Sequence, residues 1–241
     1  MQASHRISQQ PAYILHSKPY RDTSVILELF TRSHGRIAAV AKGARQAKSK
    51  FNGILQPFTP VLASWSGRSD LMTLTDAELQ GLTLALGGQK LMAGFYLNEL
   101  LLRLLQRHDP HDELFQAYHE TLTRLTLSSD DEPLLRRFEY YLLQEIGYGL
   151  TLDHDVDSGE PIQGNSDYCY YIERGPVKIA KPAMEKNSLC LKGETLQALE
   201  RGELGTAAML KEAKHFMRAI ISHHLGGKPL HSREMAKQKI L

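Results

Sequence analysis

The sequence has few cysteines and aromatic residues and no long apolar run. Its 241 residues include two cysteines and one tryptophan. A scaffold built on several disulfides is therefore excluded, and a reducing, cytoplasmic environment is predicted. No apolar stretch approaches the roughly 18 residues that a membrane helix needs, and MQASHRISQQP, at residues 1–11, lacks the apolar core of a signal peptide. We therefore expect a soluble globular protein without a membrane partner.

The motifs of common catalytic sites are also missing. There is no GxxxxGK[ST] phosphate-binding loop, because GGKPL has neither its spacing nor its hydroxyl, and none of the 11 histidines lies in an HExxH pattern. Asp153, Asp155 and Asp157 alternate as in a cation-binding loop, but the glycine and glutamate that an EF-hand requires are not at their positions. We predict a protein that is not an enzyme and has no cofactor. The enzymatic alternative is a metal-dependent nuclease built on these carboxylates.

The charge is distributed unevenly along the chain. The formal net charge of +2 divides into +5 over residues 1–80, −8 over residues 81–160 and +5 over residues 161–241. This division predicts different partners for different parts of the chain. The stretch VAKGARQAKSK, at residues 40–50, carries four bases and no acid.

Residues 12–80 have the pattern of short β-strands. In TSVILELF, at residues 23–30, both alternating sets of side chains are largely apolar, which suits a closed or strongly curled sheet. With AYILH, HGRIAAVA, FTPVLASW and DLMTLT, this stretch holds about five short strands separated by turn residues. We predict a five-stranded barrel of the oligonucleotide-binding type, an OB-fold. A small open sandwich is the alternative.

From about residue 88 the apolar pattern has the period of helices. LMAGFYLNELLLRLLQRH is apolar nearly all round, which is typical of the central helix of a bundle. Proline marks the start of two further helices, in DPHDELFQAYHETLTRL and DEPLLRRFEYYLLQEIGYG, and a last long helix ends at Gly226. We therefore predict an α+β chain with a β domain at residues 1–80 and an α-helical domain at residues 81–241. The helical domain carries a small β insertion at residues 153–191.

The basic stretch and its neighbours on the predicted barrel form a candidate DNA-binding face. Cationic side chains at this spacing suit a phosphate backbone, because each neutralised phosphate releases counterions. The candidates are Lys18, Arg21, Arg36, Lys42, Arg45, Lys48 and Lys50. A merely solvated basic loop is the alternative. For the barrel's aromatic residues we favour core positions over base stacking: Tyr13, Tyr20, Phe51, Phe58 and Trp65.

Arg136 and Arg137 are adjacent within the apolar sequence PLLRRFEYYLL. Neighbouring helix residues point about 100° apart, so at most one of them faces a given groove. An arginine at the rim of an apolar groove can bind the carboxylate of an acidic peptide tail. We favour this binding for Arg136, and for Arg137 the alternative of an ion pair within the domain, with Glu139, Glu99 or Glu132 as candidate partners.

Seven segments, in order along the chain, resemble the bacterial recombination mediator family of recombination protein O, RecO. They are LHSKPYRDTS, FTRSHGRIAAVAKGAR, GILQPFTP, YLNELLLRLL, LRRFEYYLLQEIGYG, DSGEPI and LGGKPLHSRE, between about Tyr13 and Glu234. The resemblance implies an OB-fold, a helical domain and a zinc-finger-like insertion. It also implies a DNA repair protein of the RecF pathway that binds single- and double-stranded DNA. Members anneal strands coated with single-stranded DNA-binding protein (SSB) and, with the partner RecR, help to load RecA.

The resemblance implies two further features, and the chain differs from many family members in one respect. It makes the C-terminal tail of SSB the acidic peptide for Arg136 and Arg137, and it implies a cytoplasmic protein associated with the nucleoid. Many relatives carry paired CxxC motifs in the insertion, whereas this chain has only Cys169 and Cys190. We therefore predict no bound zinc and interpret YCYYI and LCLKG as strands with small buried thiols. The alternative function is a helical adaptor whose barrel binds protein partners rather than DNA.

Overall fold

The computed structural model describes residues 6–81, 83–180 and 188–238. Its contacts divide the chain into two compact units, residues 1–127 with 230–241, and residues 128–229. The first unit therefore contains the predicted barrel and also the first helices that follow it. The domain boundary at residue 80 stays a prediction. Within the described residues, no helix is both long and apolar enough to cross a bilayer.

The barrel of the first unit is built from the strands β1 (Arg6–Tyr20), β2 (Ser24–Thr31), β3 (Gly35–Ala41), β4 (Pro60–Ser66) and β5 (Leu71–Leu79). They form a closed barrel with the order β1-β2-β3-β5-β4. Strands β3 and β5 pair in parallel, and the other neighbours are antiparallel. The predicted five-stranded barrel is therefore confirmed over the open sandwich.

The other described elements, in chain order, are α1 (Gln89–Leu104), α2 (Asp112–Leu127), α3 (Glu132–Glu145), β6 (Asp167–Tyr171), β7 (Gly175–Ile179), β8 (Ser188–Lys192), α4 (Gly193–Arg201), α5 (Ala207–His224) and α6 (His231–Gln238). The last three strands form one small sheet with the order β7-β6-β8. Two helices have ends that the sequence predicted: α3 has a proline in its first turn and a left-handed glycine after it, and α5 is also followed by a left-handed glycine.

The two apolar faces of β2 are buried by different partners. Leu27 and Leu29 point into the barrel core. Phe30, on the opposite face, is fully buried and its ring lies 5.4 Å from that of Phe115 on α2. Tyr13 of β1 similarly meets Tyr118 of α2 at 5.1 Å between ring centroids. Helix α2 therefore buries the apolar outer face of these strands. Closure of the barrel explains only the burial of the inner face.

A glutamate of α1, Glu99, binds the N-terminus of helix α6. Glu99 accepts hydrogen bonds from the backbone N–H groups of His231 (2.9 Å) and Ser232 (2.8 Å) and from the Ser232 hydroxyl. Burial acts to raise the pKa of Glu99, but these hydrogen bonds outweigh it and the pKa is lowered. Arg233 also donates to the Tyr96 hydroxyl at 2.9 Å and lies over that ring. The C-terminal helix therefore completes the first unit.

The start of β3 is packed too closely against the chain after α1 to accept a side chain. Gly35 has φ +63°, and a Cβ added there would lie 2.1 Å from the backbone oxygen of Asp109. Gly53 also has a positive φ, +76°, but has open space around it. We expect Gly53→Ala to cost about 1 kcal/mol through the left-handed backbone alone, and Gly35→Ala to cost at least about 3 kcal/mol because it adds the clash. Urea unfolding of both variants checks this; equal losses would contradict the packing.

In the second unit the predicted hairpin is present as β6 and β7, and β8 adds a third strand. Cys169 on β6 is buried, as predicted, but Cys190 on β8 is exposed. The prediction of two buried thiols is therefore wrong for Cys190, because β8 is an edge strand of this small sheet. The short helix α4 was also not predicted from the sequence, since GETLQALER is only nine residues long and has few apolar positions.

Candidate nucleic-acid interface

The basic stretch lies in the long connection between β3 and β4, and the barrel core anchors that connection. Successive turns follow β3, closed by backbone hydrogen bonds such as Gln46 N–H to Gly43 O (3.1 Å) and Ser49 N–H to Gln46 O (3.0 Å). Phe51 is buried in the barrel core. This anchor holds the connection against one end of the barrel, so its basic side chains project outward rather than inward.

A second basic segment, the β1–β2 turn, is attached to this connection. The Arg45 N–H donates to Thr23 O at 2.8 Å, and its guanidinium donates to Arg21 O at 3.3 Å. Arg21 itself has φ +52° and lies over the Tyr20 ring, 5.2 Å from its centroid. The fold therefore brings together bases that are more than 20 residues apart in the sequence.

Five of the seven predicted DNA-binding residues are exposed at this end of the barrel. The pairing of Lys18 with Ile26, and of Ala41 with Val25, places the end of β1 and the end of β3 beside the start of β2. Within the part of the chain that the structure describes, no ion pair involves the three lysines among them. We call this set the barrel-end cluster: Lys18, Arg21, Lys42, Arg45 and Lys48.

Lys50, the sixth predicted residue, turns toward the barrel wall. Its ammonium group donates to Thr75 O at 2.6 Å and pairs with the Asp76 carboxylate at 3.0 Å. The hydrogen bond from Lys50 is the main cause that lowers the pKa of Asp76. Lys50 is exposed, but part of its charge is already balanced within the protein.

Arg36, the seventh predicted residue, holds the end of α1 against the barrel. Its guanidinium pairs with Glu28 at 2.7 Å and donates to the carbonyl of Leu105 at 3.1 and 3.3 Å. Arg107 contacts the same Glu28 carboxylate. A phosphate would have to compete with these partners, so we leave Arg36 out of the proposed interface. The alternation of side chains along β2 and β3 already places Glu28 and Arg36 on the outer face of the barrel. The pairing of these two charges could therefore have been predicted from the sequence.

The aromatic residues of the barrel are mostly buried, either inside it or against the helices packed on it. Tyr13, Phe51, Phe58 and Trp65 are buried, as the sequence interpretation favoured, and Tyr20 is half-buried. Phe58 packs against Phe95 of α1 rather than inside the barrel. The barrel end therefore offers positive charge but little aromatic surface for stacking bases.

Arg136 and Arg137 occupy different environments on α3. The Arg136 side chain is 3% exposed and pairs with the fully buried Glu139 at 2.5 Å, with Glu132 at 3.6 Å from the same guanidinium. The intradomain ion pair that was the alternative for these residues is thus present at Arg136. Arg137 is exposed, and its side-chain stem passes over Gly202 at the end of α4. An external carboxylate is accessible to Arg137 and not to Arg136.

The alternating aspartates have structural partners. Asp155 is buried and accepts backbone N–H groups from Asp157, Ser158 and Lys178. Burial acts to raise its pKa, but these hydrogen bonds lower it. Asp157 contacts Arg174. Among the described residues, no three histidine, cysteine or carboxylate side chains form a metal-binding group.

The described residues of the insertion, 153–180 and 188–191, do not fit the structural zinc that the family resemblance implies. Its thiols, Cys169 and Cys190, lie beside each other on β6 and β8. A closed structural zinc site needs four nitrogen or sulfur ligands. Within the described residues these two thiols belong to no such group.

Comparisons with known proteins agree with the architecture. A family model described as "Recombination protein O N terminal" matches residues 4–82, and "Recombination protein O C terminal" matches residues 87–234. The "DNA repair protein RecO" of Nitrosospira multiformis is 51% identical over 97% of this chain and 96% of its own length. The protein of the same name from Azoarcus sp. strain BH72 is 45% identical over 99% and 98% of the two chains. This chain belongs to the RecO family of DNA repair proteins.

Proposed function

We propose that this protein is a non-enzymatic mediator of DNA repair that binds DNA through the barrel-end cluster. The single observation that carries the proposal is the gathering of five exposed bases from two separate segments on one end of an OB-type barrel. Such a cluster is suited to a phosphate backbone and not to base edges. It binds single- and double-stranded DNA alike, because both present phosphates.

The buried aromatic residues determine the kind of binding that we propose. Where stacking contributes, it is worth about 1–3 kcal/mol per base, but here Phe51 and Trp65 are in the core. Phosphate contacts then dominate. If about six phosphates are contacted, log affinity for single-stranded DNA falls with log salt at a slope near −4. The cluster also lowers the repulsion between two strands, so base pairing can drive annealing without ATP or bond chemistry.

We further propose that the second unit recruits strands coated with SSB by binding the acidic SSB tail, with Arg137 as the contact for its carboxylate. Arg137 supports this proposal because it is exposed on α3 next to the apolar stretch that the helix buries. In the same proposal the protein cooperates with RecR, helps to load RecA, and works in the cytoplasm at the nucleoid.

The test is the annealing rate of two complementary labelled strands, each coated with cognate SSB, in the absence of ATP. The wild-type protein is expected to accelerate annealing over the coated control. Arg137→Ala is expected to weaken binding of an SSB tail peptide by about tenfold or more and to slow annealing of coated strands only. Uncoated strands should anneal at the wild-type rate, because the barrel-end cluster is unchanged.

Two outcomes would contradict these proposals in different ways. A wild-type protein that is folded but accelerates neither coated nor uncoated strands would favour the adaptor, whose barrel binds proteins. If Arg137→Ala binds the tail peptide as tightly as the wild type, the annealing proposal stands and the Arg137 contact does not.

A further inference from the structure

Two thiols face each other across neighbouring strands of the small sheet in the second unit. Cys169 on β6 pairs directly with Cys190 on β8, and their sulfur atoms are 3.3 Å apart. Two positions further along the same strands, Asp167 of β6 lies opposite Lys192 of β8, and their side chains form an ion pair at 2.9 Å. The register that places the sulfurs together is therefore supported by a second side-chain contact on the same two strands.

The backbone geometry of this pair is compatible with a covalent bond. Directly opposed residues of antiparallel strands have Cα atoms about 4.5–5.5 Å apart, and disulfides join Cα atoms about 4.4–6.8 Å apart. The sulfurs must close from 3.3 Å to about 2.05 Å. Side-chain rotation can supply this movement without separating the strands.

One of the two thiols is exposed and the other is buried beside it. Cysteines that respond to peroxide are typically solvent-accessible and lie next to a second cysteine that resolves them. Cys190 is exposed and Cys169 is 1% exposed. An oxidant in solution therefore meets Cys190 first, while Cys169 is protected from solvent but within contact of the Cys190 sulfur. Attack by this close neighbour competes with further oxidation of Cys190 by a second oxidant molecule.

We propose that Cys169 and Cys190 are a redox-sensitive pair that hydrogen peroxide closes to a disulfide between β6 and β8. The Cys190 thiolate attacks a peroxide oxygen, forming a sulfenic acid and releasing hydroxide. The Cys169 sulfur then attacks the Cys190 sulfur, so that an S–S bond forms, the S–O bond breaks and water leaves. In total, two thiols and one peroxide give one disulfide and two waters.

This bond would fasten an edge strand that leads directly into α4. Strand β8 ends at Lys192 and α4 begins at Gly193, where Thr195 contacts Glu212 of α5. A link between Cys169 and Cys190 therefore restrains the path from the sheet into the helices of the same unit. Since the bond spans adjacent strands and one sulfur is exposed, we expect glutathione to reduce it.

The experiment treats the full chain with hydrogen peroxide and measures intact mass and reactive thiols. The wild type is expected to lose about 2 Da, to lose both thiols together and to show no intermolecular disulfide in the non-reduced sample. Reduced glutathione is expected to restore both thiols. Peptide mapping of the oxidised chain should recover Cys169 joined to Cys190.

Each cysteine is also replaced by serine in turn, so that the test still has a readout if one of the two substitutions alters folding. Cys169→Ser is expected to trap a sulfenic acid on Cys190, detectable with a dimedone label, and Cys190→Ser to leave the buried Cys169 largely unreacted. The proposal is overturned if the wild type gains oxygen mass without an internal disulfide, if it links two molecules instead, or if Cys169 reacts first in the variants.

Discussion

Changing Lys42, Arg45 and Lys48 to glutamate is expected to lower the affinity for single-stranded DNA about a hundredfold or more at physiological salt. Each lost phosphate contact removes about 0.7 from the slope of log affinity against log salt. The slope should therefore move from near −4 to near −2. The introduced carboxylates add repulsion of the DNA backbone, which lowers the affinity further.

These three residues were chosen because their side chains are exposed in the β3–β4 connection. Lys50 lies in the same stretch, but its reversal would also disturb the pairing with Asp76. A glutamate at residue 45 retains the backbone N–H that donates to Thr23 O, but it loses the exposed guanidinium hydrogen bond to Arg21 O. Since the backbone hydrogen bond and the Phe51 anchor remain, loss of binding would report on charge and not on a collapsed loop. Fluorescence anisotropy with labelled oligonucleotides at several salt concentrations measures both the affinity and the slope.

A matched control carries the same change in net charge on the other compact unit. Arg201, Lys211 and Arg218 are exposed residues of α4 and α5. Reversing them is expected to change the affinity much less than reversing the barrel-end residues, since none of the three belongs to the proposed interface. Equal losses in the two triple variants would show that net charge, not this surface, governs binding. No loss in either would favour the adaptor.

The largest effect on stability is expected for Arg136→Met. Arg136 and Glu139 form a buried ion pair, with the Glu139 side chain at 0% exposure. Removing one partner leaves a buried charge without its counterion, and such changes cost about 3–5 kcal/mol. Urea unfolding should show this loss as a lower midpoint with little change in slope.

Two further variants distinguish the ion pair from a general effect on α3. Arg137→Met, the neighbouring and exposed arginine, is expected to change the free energy of unfolding by less than about 0.5 kcal/mol. In Arg136→Met/Glu139→Gln the buried charge is gone, and most of the loss should be recovered. If the double variant is no more stable than Arg136→Met, the cost comes from lost packing. The same contrast makes Arg137, and not Arg136, the residue to test against an acidic peptide.

The elements of the barrel and the longer helices were predictable because their side-chain patterns have a clear period. The alternation around Leu27 and Leu29 predicted a strand with an inner face, which the core confirms. The proline of α3 and the glycine after α5 predicted ends that the structure has. Local patterns report on local geometry, because side chains two residues apart on a strand or three to four apart on a helix share a face.

Pairings between distant segments were decided by the tertiary structure. Phe30 looked like one more barrel residue, but it packs on Phe115 of α2, 85 positions along the chain. Arg36 looked like a free base on a strand, but its guanidinium donates hydrogen bonds to the carbonyl of Leu105, 69 positions along the chain. A single sequence shows which side chains are apolar or charged, and it does not show which of them become neighbours after folding.

By itself, the sequence determined the order of short β-strands before helices, the basic character of the β3–β4 connection and the absence of a disulfide framework, since composition and period suffice for these. Only the tertiary structure distinguished Arg137 from Arg136, joined Arg21 to Arg45, and set the thiols of Cys169 and Cys190 side by side. The physical reason is that exposure and contact depend on which surfaces the folded chain buries, and residues adjacent on a helix differ in direction by about 100°.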